Sequence, residues 1–189
     1  MMMNSLNEFL KVKKEDLKGK VIVFPTDTVY GIGTGWLDLE GIEKIYELKK
    51  RDGRKPLAIL AYSFDQIKEY IDIVNDKTFE LVNKYWPGAV TFIFKKKESF
   101  NYPLDTIAFR VPNSKIALEI LKEFGPLATT SVNLSGEEPI NDIEEIVNKF
   151  NDIDYIITDK EEFSSVSSTI VDLTAKDIKI IRQGEIKII

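Results

Sequence analysis

Short apolar runs rich in β-branched residues alternate along this chain with segments whose apolar positions recur every three to four residues. The first kind predicts strands at 21–24, 57–61, 90–94, 107–111, 127–130, 155–158, 169–173 and 178–181. The second kind predicts a helix at 39–50, where Ile42, Ile45, Tyr46 and Lys49 share a face. A further helix is predicted at 114–124, with Ile116, Ile120, Leu121 and Phe124 together and Gly125 as its stop. Ser63 with Gln66, and Asp142 with Glu145, have capping-box spacing and predict two more helix starts. The N-terminal stretch reads as a short amphipathic helix with Leu6, Phe9 and Leu10 on one side. Helices interleaved with strands, and short β elements toward the C-terminus, predict one α/β domain over residues 1–189 around a mixed sheet.

Composition narrows the chemistry more than the fold. At 189 residues and 43% hydrophobic, the chain can bury a core without metals or disulfides. Cysteine and histidine are both absent, which removes thiolate nucleophiles, Cys/His zinc sites and every histidine general base. Proton transfer is left to Asp, Glu, Lys, Tyr, water or the substrate. A bound metal would be a hard, oxygen-liganded ion such as Mg²⁺. The net charge of −5 argues against a surface that grips nucleic acid all over, yet leaves room for a local basic patch. No apolar run approaches the roughly 20 residues needed to cross a bilayer, and charges interrupt any secretory segment. The expectation is a cytoplasmic protein without a membrane partner.

Three segments could carry chemistry. In Lys49-Lys50-Arg51-Asp52-Gly53-Arg54-Lys55, five of seven residues are cationic. Concentrated like charge invites an anion, and arginine's fork suits phosphate. Complementing a helix C-terminus would account for Lys49 and Lys50, but not for charge that continues through the loop to Pro56. The segment Phe24-Pro25-Thr26-Asp27-Thr28-Val29-Tyr30-Gly31-Ile32-Gly33 follows a strand with hydroxyls, a carboxylate and spaced glycines. It is a loop suited to ligand binding or a turn that simply needs Pro and Gly. Thr129-Thr130-Ser131-Val132-Asn133-Leu134-Ser135-Gly136 crowds neutral donors and acceptors after another strand, and reads as a ligand loop or a cap. Arg110 lies inside an apolar run and needs either an internal ion pair or a ligand carboxylate.

In this order, PTDTVYGIG, ELKKRDGRKPLAIL, PGAVTFIF, IAFRVPNS, TSVNLSGEEP, SSTIVDLT and IIRQG resemble the YrdC family of threonylcarbamoyl-AMP synthases, from about Gly19 to Gly184. The resemblance implies a single α/β domain whose twisted, partly open sheet is flanked by helices and carries a concave basic cavity. It implies that L-threonine, bicarbonate and ATP (as the Mg²⁺ complex) give threonylcarbamoyl-AMP and pyrophosphate. A separate tRNA threonylcarbamoyltransferase would take the product, and weak RNA contact is compatible with this. The family's lysine–arginine and Ser-x-Asn signature falls on Lys49, Arg51, Ser131 and Asn133, with Lys49 and Arg51 in the catalytic role. By the same resemblance Arg51, Lys55, Thr106, Asn133, Asn141 and Arg182 would contact ATP. Thr28, Arg110, Ser131 and Ser168 would hold threonine, and no residue would ligate a metal. Asp27 stands where the family often has glutamate, Lys55 where asparagine is frequent, and Leu60 where some members carry histidine. Two other readings of the residues are an RNA-binding module with a basic concave face and a carbamoyl-adenylate-forming domain.

Overall fold

Burial of alternating apolar positions on both faces of a sheet organises the chain. The computed structural model describes residues 1–73 and 77–189. Its first half contains β1 (Met2–Asn4), α1 (Leu6–Phe9), β2 (Ile22–Phe24), β3 (Gly31–Gly35), α2 (Leu39–Lys49), β4 (Ala58–Leu60), β5 (Ile71–Asp72) and α3 (Lys77–Tyr85). The second half contains β6 (Val90–Lys96), β7 (Thr106–Arg110), α4 (Lys115–Phe124), β8 (Leu127–Ser131), α5 (Ile143–Lys149), β9 (Tyr155–Ile157), β10 (Thr169–Asp172) and β11 (Lys179–Arg182). The strands form one sheet in the order β1-β9-β2-β3-β8-β4-β7-β6-β10-β11, with β5 also paired to β6. The pairs β1/β9, β9/β2, β4/β7 and β6/β10 are parallel and the others antiparallel. The α/β architecture with a mixed sheet is therefore as expected.

Period-two alternation divides the sheet's side chains between two cores. Val23, Ile32, Ile59, Phe92, Phe94, Phe109 and Ala128 bury against Ile45 of α2, Val82 of α3 and Ile146 of α5. On the opposite face Ile22, Phe24, Leu60, Leu127 and Ile157 bury against Phe9 of α1 and Ile116, Ile120, Leu121 and Phe124 of α4. This second cluster covers only part of its face. The uncovered remainder is where the cavity lies.

Local signals explain the helix ends. Asp38 accepts from Gly41 N at 3.2 Å at the start of α2, and Lys50 ends it in the left-handed region with φ 49°. Ser114 Oγ accepts from Ala117 N at 3.0 Å, and Asp142 Oδ1 accepts from Glu145 N at 2.9 Å, capping α4 and α5. Ser63 differs from expectation: its side chain makes no cap bond, and only a 3-10 turn, Phe64–Gln66, follows. Gln66 turns back instead, its Oε1 accepting from Tyr62 N at 2.8 Å. A capping box does form at Ser5 with Glu8. Strand β3 lies in a segment read as a loop; its glycines mask the strand pattern because they lack the side chains that carry it. At Gly33 a Cβ would sit 2.8 Å from Thr129 Oγ1, so the neighbouring strand's side chain needs the space. Helix α3 carries few buried apolar positions to mark it in sequence, because its buried residues are only Thr78 and Val82.

Candidate active site

One face of the middle strands floors a cavity of about 320 Å³. The lining residues Ala58 and Leu60, Thr91 and Ile93, Ala108 and Arg110, Thr129 and Ser131, and Ser168 and Ile170 are spaced two apart along five chain segments. Register confirms a shared face, because Leu60 pairs with Arg110, Ile93 with Ala108, Thr91 with Ile170 and Ala58 with Thr129. The walls come from Thr26, Thr28 and Val29 after β2, from Arg51, Pro56 and Leu57 after α2, and from Ile181 and Arg182 of β11. Among the described residues, three arginines line the cavity and no carboxylate does.

Arg110 is buried at the end of β7 and held on three sides. Its Nε donates to Gly88 O at 2.9 Å, Nη1 to Thr28 Oγ1 at 2.9 Å and Nη2 to Asp27 Oδ1 at 2.5 Å. Those bonds engage each guanidinium nitrogen once, and Nη1 and Nη2 each carry a second hydrogen. Burial pushes the Arg110 guanidinium down from its ordinary range while Asp27 pulls it back up. The internal ion pair open at the level of sequence is thus made with Asp27. Arg182 donates from Nε and Nη2 to Ser168 O at 3.1 and 2.8 Å, and Ser168 Oγ lies 2.8 Å from Thr91 Oγ1. Burial lowers Arg182, and the like charge of Arg110 lowers it further. Asp27 offsets the charge of Arg110, and the like charges of Arg51 and Arg182 on the same lining favour an anion between them.

The cationic run after α2 is split by the fold. Lys49 is 1% exposed and points inward. Its Nζ donates to Ser131 O at 2.5 Å, Asn133 O at 2.7 Å and Asn133 Oδ1 at 3.2 Å. Burial, with help from Arg51, lowers its pKa to about 8. Asn133 is equally engaged: Oδ1 accepts from Ser131 Oγ at 2.6 Å, and Nδ2 donates to Leu134 O and Glu137 O. Lys49 and Asn133 together fasten the Ser131–Asn133 turn to the end of α2. Arg51 reaches the cavity, braced by Lys55 O and Pro56 O at 3.2 Å each. Arg54 faces solvent and pairs with Asp52 at 2.8 Å.

Of the residues singled out in sequence, Arg51, Thr28, Arg110, Ser131, Ser168 and Arg182 therefore line one cavity. Lys49 and Asn133 stand behind it. Lys55 is exposed on the loop, and Asn141 Oδ1 accepts from Tyr30 N at 3.4 Å. Thr106 shares the face of Ala108 and Arg110 but lies at the opposite end of β7, paired with Lys95. Sequence reasoning passed over Thr91, Ile93, Ala58 and Ile170; their two-residue spacing was the signal, and it required the strand register to be read. No group of three or more acidic residues among the described residues could hold a metal ion, and no helix among them is long and apolar enough to cross a membrane.

The α/β fold is shared with solved proteins. The structure of Pyrococcus abyssi Sua5 complexed with L-threonine superposes with TM-score 0.86 at 29% identity, covering 97% of this chain and 58% of that one. The family model Sua5_yciO_yrdC, described as Telomere recombination, matches residues 17–184, and the chain belongs to this family. A Methanocaldococcus jannaschii protein is 36% identical over 184 residues, 96% of this chain and 86% of its own length. The Vibrio campbellii protein named threonylcarbamoyl-AMP synthase is 32% identical over 187 residues, 95% of this chain and 100% of its own.

Proposed function

We propose that this chain joins L-threonine, bicarbonate and ATP into threonylcarbamoyl-AMP, releasing pyrophosphate. The observation that carries the reading is the convergence of Arg51, Arg110 and Arg182 with Thr28, Ser131 and Ser168 on one cavity. The name of the Vibrio campbellii relative and the threonine complex of the Pyrococcus abyssi protein support the same assignment. In the first step the neutral threonine amine attacks the bicarbonate carbon and water leaves, giving N-carboxy-threonine. A carbamate oxygen then attacks the α-phosphorus of ATP. The new O–P bond forms as the bond to the β-phosphate oxygen breaks, and pyrophosphate carries away the electron pair.

No step needs a protein nucleophile, in keeping with a chain without Cys or His. The work is positioning and charge neutralisation. Arg110, with Thr28, Ser131 and Ser168, holds threonine, and the arginine's remaining hydrogens meet its carboxylate. Arg51 and Arg182 meet the phosphates, giving the cavity its basic character; Lys55, Thr106 and Asn141 lie outside its lining, and Asn133 serves the nucleotide only by holding the Ser131–Asn133 turn. Lys49 contributes by holding the Ser131–Asn133 turn rather than by touching substrate. Mg²⁺ would enter with ATP as part of the substrate and offset phosphate charge there, the described lining of the cavity being without a carboxylate. A separate tRNA threonylcarbamoyltransferase in the cytoplasm would take the mixed anhydride.

The test is pyrophosphate release with ATP, bicarbonate and each amino acid in turn. Threonine-dependent release is expected. Release that requires carbamoyl phosphate instead, or RNA binding with steep salt dependence and no turnover, overturns the proposal.

A further inference from the structure

The segment 158–168, between β9 and β10, has no regular structure, yet it is tied down along its length. Thr158 N donates to Asn4 O at 2.9 Å, and Asp159 Oδ2 accepts from Leu6 N at 2.6 Å. Phe163 packs edge-on against Tyr30, with ring centres 5.7 Å apart. Ser164 N donates to Asp27 O at 3.1 Å and Ser165 N to Thr28 O at 2.8 Å, with Ser165 held at φ 62°. The strap then enters the cavity wall as Ser167 and Ser168. Its backbone thus grips the two residues whose side chains hold Arg110.

Midway along the strap Glu161 reaches across to the start of α4. Its Oε1 accepts from Lys115 N at 2.7 Å, and Oε2 accepts from Ser114 Oγ at 2.5 Å and Ile116 N at 3.4 Å. Ser114 already caps α4, so Glu161 supplies a second, charged cap to a helix of ten residues. An anionic side chain on the first turn of a helix is stabilised there, and here that stabilisation locks a distant loop.

We propose that Glu161 is a positioning residue: by clamping the strap to α4 it fixes Asp27 and Thr28, and through them the orientation of Arg110 toward the substrate carboxylate. This rests on the threonine role proposed for Arg110. Of the arginines assigned to phosphate, Arg51 is braced by Lys55 and Pro56 away from the strap, and Arg182 bonds Ser168 where Thr91 of β6 pins the strap's end without Glu161.

The experiment compares Glu161→Ala and Glu161→Gln with the unsubstituted chain, by steady-state pyrophosphate release and by amide hydrogen exchange. For Glu161→Ala, the KM for L-threonine is expected to rise about tenfold or more, with the KM for ATP changed less than about twofold. Exchange should quicken at 161–167 and 27–28 while the buried strands stay protected. Glu161→Gln, which keeps an oxygen acceptor for the amides, should restore most of the threonine KM. Unchanged threonine KM, equal rises in both KM values, or faster exchange spread over the whole sheet would each overturn the clamp. If the unsubstituted chain shows no threonine-dependent release, the function fails instead, and the exchange pattern alone then decides whether Glu161 holds the strap.

Discussion

Lys49→Met separates the turn from its anchor while preserving the apolar stem. The buried ammonium serves two backbone carbonyls and Asn133 Oδ1. Leaving buried acceptors without a donor costs about 1–3 kcal/mol apiece, although Asn133 Oδ1 keeps Ser131 Oγ. Against this stands the desolvation of the charge. Holding this lysine at about 8 rather than 10.5 corresponds to about 3 kcal/mol at neutral pH. The two effects nearly offset, so the net loss of stability is expected to be about 2 kcal/mol or less. Activity has no such compensation, because Ser131 and Asn133 lose their fixed position. A fall of about a hundredfold in pyrophosphate release is expected, the scale of one lost transition-state contact. The pH dependence provides a second signature. Between 8 and 10.5 the folded chain binds fewer protons at Lys49 than the unfolded chain, so stability rises with pH across that window. Urea titrations should show the unsubstituted chain gaining up to about 3 kcal/mol over Lys49→Met from pH 8 toward 10.5. Near-normal turnover by Lys49→Met, or parallel pH profiles, would refute the reasoning.

Arg51→Ala should lower pyrophosphate release about a hundredfold and raise the KM for ATP, with the thermal midpoint unchanged because Arg51 braces only its own loop. The exposed Arg54→Ala beside it should change neither quantity. Asp27→Asn removes the charge opposite buried Arg110 and should destabilise the chain by about 3 kcal/mol in urea; a change under about 1 kcal/mol would show that the ion pair adds little. Gly184→Ala places a Cβ 2.2 Å from Ser167 O and 2.5 Å from Thr169 N, backbone atoms that must move. A loss of about 1–3 kcal/mol, with a raised KM for ATP as Arg182 leaves Ser168, is the expected result in thermal melts and kinetics.

The sequence by itself determined the spans of α2 and α4, the start of α5, most of the buried strands and the excluded chemistry, but not β3, α3 or the turn after Ser63. Asp38, Ser114 and Asp142 act on amides three residues away, and such interactions are written in local order. Inventory needs no fold at all: without Cys or His, thiolate and imidazole chemistry is closed to this chain. Tertiary structure decided which charges meet. Lys49, Arg51 and Arg54 are near neighbours in sequence, yet one serves a turn 82 and more residues away, one reaches the cavity, and one pairs at the surface with Asp52. Helical geometry sends successive side chains in different directions, and only the packing of α2 against the β8 turn sets which direction is inside. The same holds for β3, whose glycines show no strand pattern until Thr129 stands opposite them. The cavity floor is decided in the same way, because Ala58, Thr91, Ala108 and Thr129 share a face only once four strands are in register.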